Sequence, residues 1–377
     1  GTTDIVIDFV QADWNARRRL LAEQAALLLS EDVEPVFDTL AAANEDAEVR
    51  RALADARALL RRCRTWGVDP VFYFELHMRL GDSIAIPEAE EDEVMQIATL
   101  LSRQGEDETA LEQAVAEMES LLNRLTADAP PLFEAALLRD LAEATYALPA
   151  GHPARQLERV EMYYREALPF YQEAADRPIS PAFIQCSLGN LLSDQGRYDE
   201  ALEPLQAASQ GLQAQGRNDD AVEAFSAYAS ALDYLGRTEE ALSAYAQATA
   251  LLPAAPPLLR NRVEVLIHAR RLDEAEAELA RATELDGNED NVYLWLRRAQ
   301  LALARGDGTL ADQMLDEAIK RNASVHVVFL RAQSAWLRGD LQAAREGLQQ
   351  VLQAANAGEQ AAIRREWECL IAEHPRA

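Results

Sequence analysis

The sequence predicts an all-α fold whose second half is a solenoid of paired helices, and three observations carry that expectation. Hydrophobic residues make up 49% of the chain, mostly alanine and leucine, while aromatic residues reach only 6%; such a composition favours helix over sheet. A turn residue followed five positions later by alanine recurs at Gly196 and Ala201, Gly236 and Ala241, Arg270 and Ala275, Gly306 and Ala311, and Gly339 and Ala344. Upstream, residues 8–29, 46–64 and 107–125 carry apolar side chains at three- and four-residue spacing, the pattern of amphipathic helices. At 377 residues the chain exceeds one ordinary core and suits two subdomains or an elongated array.

Successive alanines of the recurring pair lie 40, 34, 36 and 33 residues apart, which brackets the period of about 34 for two short antiparallel helices and their turns. Seven residues before each turn stands Gly189, Ala229, Val263, Ala299 or Ala332, and seven after each alanine stands Ala208, Ala248, Ala282, Ala318 or Val351. Small side chains there let helices approach closely. Leu205, Tyr245, Leu279, Leu315 and Leu348, four residues after each alanine, supply the knob that fills the remaining gap. The 40-residue step leaves six extra residues, enough to lengthen each flanking helix by nearly a turn.

In SLGNLLSDQGRYDEALEPL (187–205) and LDYLGRTEEALSAYAQATALLP (232–253) the chain resembles the tetratricopeptide-repeat (TPR) family. The resemblance covers residues 182–358, about five repeats. It departs from the pattern at Arg270, which replaces the turn glycine, and in keeping only Pro253 of the prolines that end second helices. It implies a right-handed TPR superhelix, an α-solenoid, preceded by an irregular helical N-terminal region. The expected organisation is a helical N-terminal region over 1–130, a degenerate TPR-like hairpin over 131–178 with LPAGHP as its turn, five repeats over 179–358, and a polar-faced capping helix over 359–377. The stretch 47–69 also resembles a helical segment that precedes TPR arrays in multidomain bacterial signalling proteins. Ile5 to Ile7 is read as the entry to the first helix.

In that family the first helix of each repeat lines the concave face and meets the ligand. Carrying the register over marks Asn190 and Ser193, Ser230 and Asp233, Arg260, Glu264 and His268, Tyr293, Arg297 and Gln300, and Phe329, Gln333 and Trp336 as the peptide-binding candidates; Arg297 sits one position off the register. Arginine can hold a carboxylate with two prongs and aromatic side chains offer large contact area, so Arg260, Arg297, Tyr293 and Trp336 are the preferred anchors. The alternative is that Tyr293, Phe329 and Trp336 pack between repeats. The clamp with which some members hold chaperone tails relies on lysines, and Lys320 is the only lysine here.

The net charge is −28, with 64 acidic against 36 basic residues, and the first 130 residues carry more than half of the excess. Nucleic acid is a poor partner for such a chain, because phosphate binding needs positive patches. No apolar run approaches the roughly 20 residues that span a bilayer, so no membrane association is expected. Cys63, Cys186 and Cys369 are odd in number and widely spaced, which fits a reducing, cytoplasmic setting. The acidic run PEAEEDE (87–93) reads as a solvated linker, or else as a docking site for a basic partner.

Catalytic and metal-binding signatures are missing from the sequence. A phosphate-binding loop needs Gly-Lys-Ser or Gly-Lys-Thr, and Lys320 follows isoleucine. DGNEDN (286–291) opens like a calcium loop but carries Asn291 where glycine belongs and Arg297 where the closing glutamate belongs. Cys186 has no histidine fixed near it, and His77, His152, His268, His326 and His374 form no ligand spacing. The expectation is a non-enzymatic protein without cofactor or metal that binds a protein or peptide, including other domains of its own full-length chain. The opening Gly-Thr-Thr, without methionine, points to the sensor region of a larger bacterial signalling protein; the alternative is a free-standing adaptor or assembly scaffold.

Overall fold

The computed structural model describes the whole chain except residues 79–83, 104–107, 127, 174–179, 288–290, 321–325, 356 and 376–377. Among the described residues there are twenty α-helices and no strand. They divide into two compact units, Gly1–Ile179 and Ser180–Ala377.

In the N-terminal unit, α1 (Thr2–Gln11) and α2 (Trp14–Leu28) replace the single helix expected over 8–29. Asp13 causes the break. Its carboxylate accepts the Ala16 N–H at 2.7 Å and caps α2, and Arg17 donates back to the free carbonyls of Phe9 and Val10. Ile5 to Ile7 lie within α1, with Val6 and Phe9 buried. Glu34 then binds α3 (Glu34–Ala43) to α4 (Ala47–Trp66) by accepting from Arg57, Arg61 and Arg64. Hydrogen bonds from Arg61, Arg64 and Arg57, offset in part by burial, hold its carboxyl far below the usual range.

After α5 (Val68–Tyr73), a π-helical turn and α6 (Glu91–Leu101), the unit continues with α7 (Glu108–Arg124). The acidic run is not a linker throughout: Glu91, Asp92 and Glu93 form the first turn of α6, where the helix dipole favours carboxylates, and Glu93 pairs with Arg124 of α7. Finally α8 (Pro131–Ala147) packs on α9 (Leu157–Glu173), and the buried Arg139 guanidinium bridges Asp140 and the Tyr171 hydroxyl.

The C-terminal unit is five helical hairpins: α10 (Pro181–Asp194) with α11 (Tyr198–Ala214), α12 (Asn218–Tyr234) with α13 (Thr238–Leu251), α14 (Pro256–His268) with α15 (Leu272–Asp286), α16 (Val292–Ala304) with α17 (Gly308–Lys320), and α18 (His326–Arg338) with α19 (Leu341–Ala354). One further helix, α20 (Ala357–Glu373), follows. Residues 288–290 of the DGNEDN loop fall outside the described residues, while Asp286 ends α15 and Asn291 caps α16.

Each hairpin reverses through one residue with positive φ. At Gly196 (φ 72°) the glycine N–H reaches Ser193 O and the next N–H reaches Leu192 O, so both orphan carbonyls at the end of α10 are satisfied. Arg270 takes the same left-handed conformation (φ 59°) with the same pair of bonds, to Ile267 O and Leu266 O. The residue after the turn is arginine at 197, 237 and 271, and each pairs with the acid three positions on, Glu200, Glu240 or Glu274, at 2.5–2.7 Å. Exposed pairs of this kind stabilise little, but they orient the first turn of the second helix.

The extra residues of the 40-residue step are where the period placed them: α11 and α12 have 17 residues each, against 13 to 15 for the other helices of the five hairpins. A sixth turn of the same design joins them, with Gly216 at φ 71° and Arg217 donating to Leu212 O and pairing with Asp220. Close packing follows the small residues: Ala201, Ala241, Ala275, Ala311 and Ala344 are all fully buried, as are Ala208, Ala248, Ala282 and Ala318.

Two substitutions test this packing with opposite signs. A Cβ on Gly189 would lie 2.6 Å from Leu205 Cδ2, so Gly189→Ala is expected to destabilise by about 1–2 kcal/mol despite its better helix propensity. Arg270→Gly removes left-handed strain of about 1–2 kcal/mol and forfeits the half-exposed Arg270–Glu373 pair, worth roughly 0.5 kcal/mol. Urea unfolding should show a net gain near 1 kcal/mol; a loss would contradict the strain account.

Candidate peptide-binding face

The candidate residues lie on the first helices α10, α12, α14, α16 and α18, and the structure sorts them into three groups. Asn190 stands exposed on α10, its side-chain amide 3.8 Å from the Cys186 thiol. Ser193 and Ser230 are satisfied locally, Ser193 by Gly189 O and Ser230 by the Tyr245 hydroxyl of the paired helix α13.

The second group is a polar ladder between α14 and α16. Arg297 pairs with Glu264 at 2.5 Å, donates to Arg260 O at 3.0 Å and to Gln300 at 2.6 Å, while Gln300 donates to Glu264 at 3.1 Å. Arg260 pairs with Asp286 at 3.1 Å and lies over the Tyr293 ring, 5.7 Å from its centroid. Both arginines expected to take a ligand carboxylate are therefore engaged by carboxylates of their own chain. The Arg297 pair fastens α16 to the preceding hairpin, while the Arg260 pair joins the two helices of its own hairpin. Tyr293, by contrast, is 57% exposed, and Phe329 is buried in a cluster of α18, α19 and α20 side chains, not against the preceding repeat.

The third group faces α20. Gln333 of α18 donates to the Glu366 carboxylate at 2.8 Å, and the Trp336 indole N–H reaches His374 O at 3.2 Å. The Trp367 ring meets Phe329 and Trp336, with centroids 6.5 and 6.0 Å apart. Arg365 donates 2.9 Å bonds to Asp233 O and Tyr234 O, the last carbonyls of α12, where the helix dipole favours a cation. Asp233 itself accepts from His268 of α14 at 2.7 Å. Expected as a polar-faced cap, α20 instead lies across the first-helix face. It reaches the turns after α10, α12, α14 and α16 through Gly358, Arg365, Glu373 and His374.

Arg365, Glu366 and Trp367 were missed by sequence reasoning because they belong to a helix assigned to the end of the stack. Tyr234, 40% exposed and stacked on Tyr198 at 4.4 Å, was missed because it follows the register residue Asp233 by one. The signal available for α20 was a Trp–Leu pair beside an arginine on one helix, which a solvent-facing cap does not need.

Burial by itself would lower the His268 pKa, but the hydrogen bond to Asp233, with Glu366 and Glu264 near by, outweighs it and raises the value to about 9. The charged imidazole thus stands among carboxylates from α12, α14 and α20. Its stabilising contribution is fully present below its ordinary pKa of 6.5 and is lost as pH rises through about 9. Burial also raises the Glu366 carboxyl, against the pull of His268 and Gln333. Stability to urea should therefore fall from pH 7 to pH 9.5 by roughly 1–3 kcal/mol, and His268→Gln should flatten the profile. A slope unchanged by that substitution would assign it to other groups.

Comparison with known proteins fits this architecture. Residues 181–254 and 234–293 match tetratricopeptide-repeat families, and no curated protein sequence matches the chain. In fold the chain is similar to the apo form of RapI, with a TM-score of 0.57 and 13% identity over 74% of this chain and 99% of that one. It is also similar to aspartyl phosphate phosphatase F from Bacillus subtilis, with a TM-score of 0.56 and 14% identity over 94% of each chain. A Rap protein complexed with competence and sporulation factor aligns with a TM-score of 0.50 and 14% identity over 98% of each. At such identities the likeness concerns the fold alone. The small-residue register, the left-handed turns and the family matches agree: this is an all-α protein that carries tetratricopeptide repeats.

Proposed function

We propose that the C-terminal unit recognises a protein or peptide segment on its first-helix face, and that it acts in the cytoplasm as the sensor region of a larger bacterial signalling protein. The observation that carries the reading is the face itself. Tyr293 stands exposed above a ladder of fixed charges, and the aromatic and polar side chains at its other end, Phe329, Gln333 and Trp336, are disposed so that they grip a helix. Tetratricopeptide repeats are protein-interaction modules, and one protein of similar fold is complexed with competence and sporulation factor. The partner is a polypeptide, from another molecule or from another domain of the same chain. Nucleic acid is disfavoured by the charge of −28, and no helix among the described residues is long and apolar enough to cross a membrane. Binding, not turnover, is the activity.

The second reading, an adaptor or assembly scaffold that works alone, rests on the same face. A native reading frame that joins these residues to an effector supports the sensor; one that encodes this region alone supports the adaptor.

Capture from the source cell's lysate tests recognition, using the wild-type chain and a Tyr293→Ala, Trp336→Ala variant shown by circular dichroism to be folded. The variant is expected to retain at least tenfold less partner, roughly the effect of two aromatic anchors. A partner kept equally by both would move recognition to the N-terminal unit or the second-helix face.

A further inference from the structure

A helix that only closes a stack of hairpins touches the last one. α20 touches nearly all of them. Gly358 sits so close to the turn after α10 that a Cβ there would lie 2.7 Å from Gly196 Cα. Arg365 caps the carbonyl end of α12, Glu366 faces Gln333 of α18 and the charged His268 of α14, and Trp367 lies against Phe329 and Trp336. Glu373 pairs with Arg270 after α14, and His374 lies beside Gly306 after α16. The residues that hold α20 on α12, α14 and α18 include five predicted as ligand contacts: Asp233, His268, Phe329, Gln333 and Trp336.

The hold is specific but thin. Of the described side chains of α20 only Trp367 and Leu370 are buried, whereas α14 buries six apolar ones. The carboxylate of Glu366 loses water on docking, which opposes the contact. Specific polar contacts with little apolar area describe an occupant that can leave. Only residues 355 and 356 separate α19 from α20, so its local concentration is high, and a free segment making the same contacts competes at a disadvantage.

We infer that the first-helix face is a receptor for an amphipathic helix with the chemistry of α20, a small residue followed seven positions on by Arg-Glu-Trp, and that α20 keeps the face closed until such a helix displaces it. This rests on the reading that the face recognises another polypeptide, and it adds the partner's chemistry and the means by which access is regulated.

The test uses the full chain and a fluorescein-labelled synthetic peptide of residues 357–373. Gly358→Val places a branched side chain against the Gly196 backbone and leaves every residue of the face unchanged. Hydrogen exchange of the α20 amides should quicken at least tenfold in the variant, and peptide anisotropy should show at least tenfold tighter binding to the variant than to wild type. A peptide with Arg365→Ala and Trp367→Ala should bind the variant at least tenfold more weakly. Three results overturn the inference: α20 as protected in the variant as in wild type, α20 released without peptide binding, or equal binding to both chains. If Gly358→Val loses helicity in the repeats, the full chain with Arg365→Ala and Trp367→Ala, whose face is also unaltered, takes its place in both measurements, and the same three results overturn the inference. Peptide binding with no outside partner for either chain would sink the recognition reading, and the outside partner with it, while α20 would remain the helix that closes the face. An outside partner bound equally by both chains while α20 stays protected would do the reverse.

Discussion

Everything in the C-terminal unit depends on a backbone constraint: the chain must reverse within a few residues, through a single left-handed position, so that two helices meet at a spacing only small side chains allow. Hydrogen bonds at the turn satisfy the last carbonyls of one helix, and the alanine five residues on is the first contact of the next. The constraint is local, and it repeats. Arg270 shows how strong it is, because a residue poorly suited to positive φ still adopts it, with both hydrogen bonds in place. At the longest step the extra residues are absorbed as added helix on both sides of Gly216, and the turn is kept.

On this frame the charges take up different duties. Arginines after the turns pair within their own helix starts, whereas Arg260 pairs with the end of its partner helix and Arg297 with a carboxylate of the preceding hairpin. The imidazolium of His268 stands among carboxylates from three helices, two of them distant in sequence. A chain with so large an acidic excess keeps its first-helix face in order by spending its cations there, which leaves Tyr293 as the exposed aromatic anchor among the candidates.

The repeat was legible because its causes are local. Turn residue, alanine, small residue and knob recur at fixed offsets, and each offset reports a contact within one hairpin. The turn at Gly216 is hidden from that register because it joins two hairpins and lies midway between successive alanines. In the N-terminal unit the apolar spacing marked helices but could not see that Asp13 would divide one of them. The candidate face was legible in position but not in pairing: the register named Arg260 and Arg297, while their engagement by Asp286 of the paired helix and by Glu264 of the preceding hairpin rests on contacts that no offset of the repeat reports. The place of α20 was the least legible of all, since its partners lie up to about 160 residues away and no periodicity links them.

That placement also bears on how the unit folds. An array whose hairpins touch only their neighbours can fray from its ends and unfold in stages. By joining the turn after α10 to those after α12, α14 and α16, α20 adds contacts of high sequence separation to an otherwise local topology. Such contacts close late, because the ends of a long loop must first be brought together. Docking of the last helix thus couples distant repeats into a single cooperative transition, and its release returns them to independent fluctuation.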